Sequence, residues 1–150
     1  MRIIAIVPGK ITGWAVWEEG LPIDHGSMGP KEHHGELWRL LVGEWQQADT
    51  VICQSYTRSL RDTVSIEYTG TIKSAADVFN MRLVMQGDHV LNSISNHKLR
   101  RWGAQHTSWY VDRYQVAAEG HILFHLLHNV YVPEALRQRT ILTLRPVAEN

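Results

Sequence analysis

Three groups of side chains in this chain of 150 residues have types and spacings suited to chemistry. The first is a stripe of histidines, His121, His125 and His128, spaced four and three residues apart and so on one side of a helix. A His-x-x-x-His pair on a helix can hold zinc, but Ile122 stands where the hydrolytic zinc motif needs glutamate. Leu123, Phe124, Leu126 and Leu127 surround the stripe, so packed or helix-capping histidines are the expectation. The second group is acidic: Glu67, Asp112 and Glu119. The last two are two helical turns apart and fall near one face, where they would either share a cation or remain solvated charges. The third group is basic, Arg58, Arg61, Lys73, Lys98, Arg100 and Arg101, interleaved with Tyr56, Trp102 and Trp109. Guanidinium forks match phosphate oxygens, and aromatic faces stack on exposed bases. The competing reading is a solvated basic rim beside core tryptophans.

The totals limit what such groups can mean. Lys and Arg balance Asp and Glu, so no global basic field points to nucleic acid. Residues 1–50 hold four basic and seven acidic side chains, leaving eleven basic and eight acidic in residues 51–150. A polyanion surface belongs in the second part, on an excess of three charges. The lone cysteine, Cys53, excludes an internal disulfide and a zinc ribbon, and its place in Val51-Ile52-Cys53 marks a small buried hydrophobe. No signal-like or membrane-spanning stretch is visible, so a cytoplasmic protein without membrane contact is expected. The length suits one domain over 1–150, with 131–150 a tail wrapping the surface around Pro133 and Pro146.

The elements that would position these groups begin with residues 1–19. Ile3 to Val7 is an apolar run suited to a strand buried on both faces, ended by Pro8-Gly9. Trp14 to Trp17 resumes an extended pattern, so the pair predicts a hairpin. Its rim position, Val7, carries no charge. Residues 23–29 predict a short third strand, and Glu32 to Gln47 an amphipathic helix through Leu37, Leu40, Leu41 and Trp45. TVICQS, residues 50–55, is a second buried-type strand, and a helix between two such strands predicts a parallel crossover.

Residues 56–62 predict a loop, and Thr63 to Asn80 a long helix burying Ile66, Ile72, Ala75, Ala76 and Phe79. Gly70 inside it invites close packing or a bend. Arg82 to Gln86 is a further strand, 87–95 is ambiguous, and Asn96 to Trp102 is a basic helical turn or two. A linker at 103–108 precedes a final helix from Asp112 to Asn129. The order is that of an α/β three-layer domain with a central mixed sheet.

Motifs in this order resemble a known family. VPGKITGWAVWE is similar to the first motif of RuvC-type Holliday junction resolvases of the RNase H-like superfamily, D-P-G-x-x-T-G-W/Y-A-V. TVICQS resembles their fourth strand, which ends in glutamate; IEYTGTIK resembles the following helix of phage-encoded relatives. VDRYQVAAEGHILFHLLH resembles the last helix, which opens on one or two aspartates. The resemblance spans roughly residues 1–130 and implies an RNase H-like fold, a homodimer joined through a helical face, and branched DNA as partner. It also implies two magnesium ions held by carboxylates at the ends of two strands and the start of the last helix.

The chain departs from that pattern where the chemistry sits. The first acid position is Val7, the second is Gln54, and the last two fall on Asp112 and Gln115, leaving Asp112 as the sole acid. The expectation is therefore a pseudo-nuclease that binds branched or structured DNA, with no cofactor, and Mg2+ or Mn2+ needed only if cleavage remains. Two alternatives stand: an endonuclease re-routed through Glu67, Asp112 and Glu119, or a protein-interaction module derived from a resolvase. A natural inactive relative is favoured over an engineered one, because valine is not the usual isosteric replacement for aspartate. Neutral side chains at these positions would also ease the approach of phosphate.

Overall fold

Strand β1 (Arg2–Val7) is the middle of the sheet, and both its faces are covered. The computed structural model describes residues 1–29, 34–42, 48–55, 63–104 and 113–128. Antiparallel to β1 runs β2 (Thr12–Glu18), and antiparallel to β2 runs the edge strand β3 (Leu21–Met28). On the other side of β1, β4 (Thr50–Ser55) and then β5 (Arg82–Gly87) run parallel to it, giving the order β3-β2-β1-β4-β5. The predicted hairpin and the predicted parallel pairing are both present. The third strand starts earlier than its sequence pattern suggested, at Leu21. Pro22 reads as a break, yet it is tolerated on an edge strand, where the register against β2 shifts between Val16 and Trp17.

Alternation along β1 divides the core. Ile4 and Ile6 face one layer with Val16, Val51 and Cys53, under α1 (His34–Val42) and α2 (Thr63–Val78). Ile3, Ala5 and Val7 face the other with Ile52 and Trp17, under α3 (Asn96–Arg101) and α4 (Arg113–His128). Helices on both faces of a mixed sheet form the three-layer arrangement. Cys53 is fully buried, and that burial pushes its thiol up to about 12.

Helix α2 buries Ile72, Ala75 and Ala76 as its periodicity required, with Phe79 partly buried against the same layer. Ile66 does not join them: it is 50% exposed, because Ser65 and Tyr68 turn inward instead. Gly70 is neither a kink nor a close contact, since a Cβ built there meets nothing within 4 Å. Asn80 ends the helix in the left-handed region at φ 53°, while Met81 N–H donates to the Ala76 carbonyl at 2.8 Å. Asparagine tolerates that conformation better than most side chains. The segment 87–95, ambiguous in sequence, contains a 3-10 helix at Asp88–Ser93. The tail 131–150 and the loop 56–62 lie outside the described residues. No helix among the described residues is long and apolar enough to cross a membrane.

Candidate functional site

The ends of the three parallel strands come together on the α4 side of the sheet. Ile6 pairs with Cys53, and Gln54 pairs with Gln86, so Val7, Gln54 and Gln86 end their strands side by side. Val7 belongs to the α4-facing core, and both glutamines reach that same helix. Ligand sites in sheets with parallel strands commonly form at such carboxyl ends.

The loop beside this row is built by the Pro-Gly and Thr-Gly steps. Gly9 N–H donates to Thr12 Oγ1 at 3.3 Å, and the Thr12 hydroxyl donates back to the Gly9 carbonyl at 3.2 Å. Ser65 at the start of α2 donates to the Pro8 carbonyl at 3.3 Å, anchoring the turn from the other layer. Gly13 pairs with Val7 and lies directly under the first turn of α4, where a Cβ would stand 2.2 Å from the Tyr114 carbonyl oxygen. Only glycine admits the helix at that distance.

From α4, His121 inserts between the two glutamines. Its Nε2 lies 2.7 Å from Gln54 Oε1 and its Nδ1 lies 2.8 Å from Gln86 Oε1. His121 is fully enclosed, and Gln54 and Gln86 are 6% and 8% exposed. Burial lowers the imidazole pKa to about 4, with nearby Asp88 opposing the shift, so the ring is neutral at pH 7. A neutral imidazole has one N–H donor and one acceptor nitrogen. One carboxamide therefore accepts through its oxygen, and the other must turn to donate through its NH2 group.

This donor set does not fit the divalent pair that the sequence resemblance implies. The Val7 side chain has no ligand atom, and Gln54, Gln86 and His121 are neutral and hydrogen-bonded to one another. Mg2+ needs hard, mostly anionic oxygen ligands. Among the described residues no group of three or more His, Cys, Asp or Glu side chains is arranged to hold a metal.

The other candidates among the described residues are dispersed. Asp112, Arg58, Arg61, Tyr56 and Trp109 lie outside the described residues, and Gln115 is half-buried on the first turn of α4. Glu67 is exposed on α2, whereas Glu119 on α4 is fully buried and accepts a 2.5 Å hydrogen bond from Trp17 Nε1. The sheet separates these two acids, so the structure does not bring Glu67 and Glu119 to one site. Lys73 is exposed on α2, on the face away from α3.

Lys98, Arg100 and Arg101 lie on α3, whose N-cap Ser95 Oγ accepts from Lys98 N–H at 3.1 Å. Lys98 Nζ donates to the Ser93 carbonyl at 3.3 Å. Trp102, at the end of α3, is buried and stacks on Trp17 with ring centroids 6.3 Å apart. Trp17 pairs with Ile3, so the C-terminal end of α3 sits towards the opposite end of β1 from Val7. Trp102 is a core residue there, not a stacking platform for bases. Of the histidine stripe, His128 caps α4 by donating from Nδ1 to the Phe124 carbonyl at 2.9 Å, and it stacks on the Phe124 ring. His125 is largely buried, which lowers its pKa, as does nearby Arg82.

Gln86 is the site residue that sequence reasoning missed. A signal was present: VICQ and LVMQ are both apolar runs closed by glutamine, on strands that the structure pairs in register. Single-strand patterns do not reveal that pairing.

No protein-family model matches the chain, and no curated protein matches it. Among solved structures, it is similar to Thermus thermophilus RuvC in complex with a Holliday junction substrate. That similarity has a TM-score of 0.65 and 15% identity, covering 93% of this chain and 96% of that one. A second Thermus thermophilus RuvC structure aligns with a TM-score of 0.62 and 13% identity over the same shares. The chain thus has an α/β fold similar to that of RuvC, RNase H-like in class, with a mixed five-stranded sheet flanked by helices.

Proposed function

We propose that this protein binds branched or structured DNA and does not cleave it by a two-metal mechanism. The observation that carries the reading is the Gln54–His121–Gln86 cluster, in which a neutral Gln54 stands at a strand end where the sequence resemblance implies a carboxylate and is hydrogen-bonded to His121. The fold likeness to RuvC, one copy of which was solved on a Holliday junction, supports the DNA partner. Phosphate contacts fall to the cations of the second part of the chain: Arg58, Arg61, Lys73, Lys98, Arg100 and Arg101. A cytoplasmic homodimer completes the reading. The exposed apolar side chains Ile66 and Val78 on α2 suit a helical subunit contact.

The test is binding of a labelled four-way junction against a linear duplex of equal length across a salt series, with Mg2+ or Mn2+ added. The expected result is salt-dependent binding with a preference for the junction and no nicking. Absence of salt-dependent junction binding, with no change on Arg58→Ala plus Arg61→Ala, overturns the DNA reading. Divalent-dependent nicking abolished by Asp112→Asn overturns the inactive reading.

A further inference from the structure

The neutral cluster at the strand ends invites the question of what it does there. Two carboxamides on adjacent parallel strands both reach one imidazole on α4, each over less than 3 Å, in a space almost sealed from solvent. A ligand shared by strand ends and a helix holds them together in a metal centre; here hydrogen bonds connect β4, β5 and α4. Satisfied polar groups in a low-dielectric interior are strong and directional, and leaving one unsatisfied is costly.

We propose that Gln54, His121 and Gln86 form a metal-independent tie that fixes α4 to β4 and β5, so that this end of the protein is organised without divalent cations. The inference rests on the reading of the strand ends as a site that does not perform two-metal chemistry, and it adds a structural role to that site. Three features support it beyond the absence of acids. The cluster spans three elements distant in sequence, with His121 separated by 67 residues from Gln54 and by 35 from Gln86. Both ring nitrogens are engaged, so the imidazole has no nitrogen left for a cation. Gly13 holds the first turn of α4 against β2, so the helix is pinned at its start by backbone contact and further along by the tie.

The experiment is performed on the full chain without DNA. Thermal melts are recorded in EDTA and in millimolar MgCl2 or MnCl2, while the side-chain amide signals of Gln54 and Gln86 are followed by NMR. A ligand that binds only the folded state must raise its stability, so the expected result is an unchanged Tm and unmoved amide signals. A rise in Tm with either cation, or saturable movement of those signals, overturns the proposal.

Gln54→Leu, Gln86→Leu and the double variant then test the tie itself. Each single variant is expected to lower the Tm, and the double to lower it by less than the sum, because both act through one imidazole. Additive or negligible losses overturn the proposal. Where a leucine variant fails to fold, Gln86→Asn, shorter by one methylene, supplies the measurement: it is expected to move the His121 ring signals and lower the Tm. A Gln86→Asn protein with wild-type melting and ring signals overturns the tie. A separate arm measures junction binding in EDTA; its failure would sink the DNA reading while leaving the melts and spectra to decide the tie.

Discussion

Gly13 on β2 lies so tightly under Tyr114 on α4 that a Cβ built on it would stand 2.2 Å from the Tyr114 carbonyl oxygen. The obstacle is helix backbone, not the end of a flexible side chain, so it cannot simply rotate away. Gly13 also pairs with Val7, placing this contact beside the row of strand ends. Gly13→Ala is therefore expected to destabilise the protein by about 1–3 kcal/mol, the range for overpacking a filled site. Urea unfolding of the variant checks this. A midpoint equal to that of the wild type would show that α4 does not press on β2 as described.

Stability should respond to acid through His121. Its pKa is near 4 in the folded protein and 6.5 in the reference state, so between these values the unfolded chain binds more protons. The contribution is fully present above pH 6.5 and is lost as pH falls from 6.5 to 4. A shift of that size corresponds to on the order of 3 kcal/mol. His125 is shifted in the same direction and adds to the slope. NMR titration of the His121 ring gives the direct check, alongside unfolding free energy measured across that window. A ring that titrates near 6.5 in the folded state would contradict the burial argument.

The general architecture was legible because its signals are local. The apolar run of β1, the Pro-Gly stop, and the apolar periods of α2 and α4 each reflect one element's own burial. The Thr-Gly step could likewise be recognised, although its reason, the approach of Tyr114, depends on an element 101 residues away. Ile66 was misplaced because helical periodicity gives a stripe but not its width, and here the inward positions are taken by Ser65 and Tyr68. Gln86 was invisible for a different reason: its partner is His121, and only the parallel register of β4 with β5 brings the two glutamines to one ring. The pairing of Trp17 with Glu119 was hidden in the same way, a buried polar contact that made an apparently surface acid part of the core.

Trp17 and Glu119 give a third prediction. The indole N–H donates to a carboxyl oxygen of the fully buried Glu119 side chain. Trp17→Phe removes that donor and also part of the ring area that stacks on Trp102. The expected loss is at least about 1 kcal/mol, since a hydrogen bond contributes a net ~0.5–1.5 kcal/mol and lost packing adds to it. Glu119→Gln keeps an acceptor oxygen in a side chain of nearly the same shape, so it should be tolerated better than Glu119→Ala. Chemical denaturation of the three variants checks the order; equal stability of Glu119→Gln and Glu119→Ala would show that the hydrogen bond contributes nothing.

Gly70 offers a change in the opposite direction. It lies exposed inside α2 with open space around an added Cβ, and its backbone is not in the left-handed region. Alanine restricts the unfolded chain and favours the helix, so Gly70→Ala should stabilise the protein by about 0.5–1 kcal/mol. The same denaturation assay decides it, and a destabilised variant would mean that this face of α2 is covered by something in solution, as a subunit contact would require.

The last prediction concerns the carboxylates that the sequence resemblance implies at positions 7 and 54. Gln54→Glu alone places an acid within hydrogen-bond reach of His121 Nε2, where Gln54 Oε1 now stands at 2.7 Å. A neighbouring negative charge favours the imidazolium, so the ring pKa should rise from its present value near 4. The resulting carboxylate–imidazolium pair neutralises the new charge internally, leaving little to attract a cation. Gln54→Glu should therefore raise the His121 pKa in an NMR titration while Mg2+ leaves the Tm unchanged. Val7→Asp with Gln54→Glu adds a second acid that His121 cannot neutralise, and only this double variant is expected to gain Mg2+-dependent stability. If Gln54→Glu alone became Mg2+-dependent, or if its His121 pKa stayed near 4, the competition between imidazole and cation would be refuted.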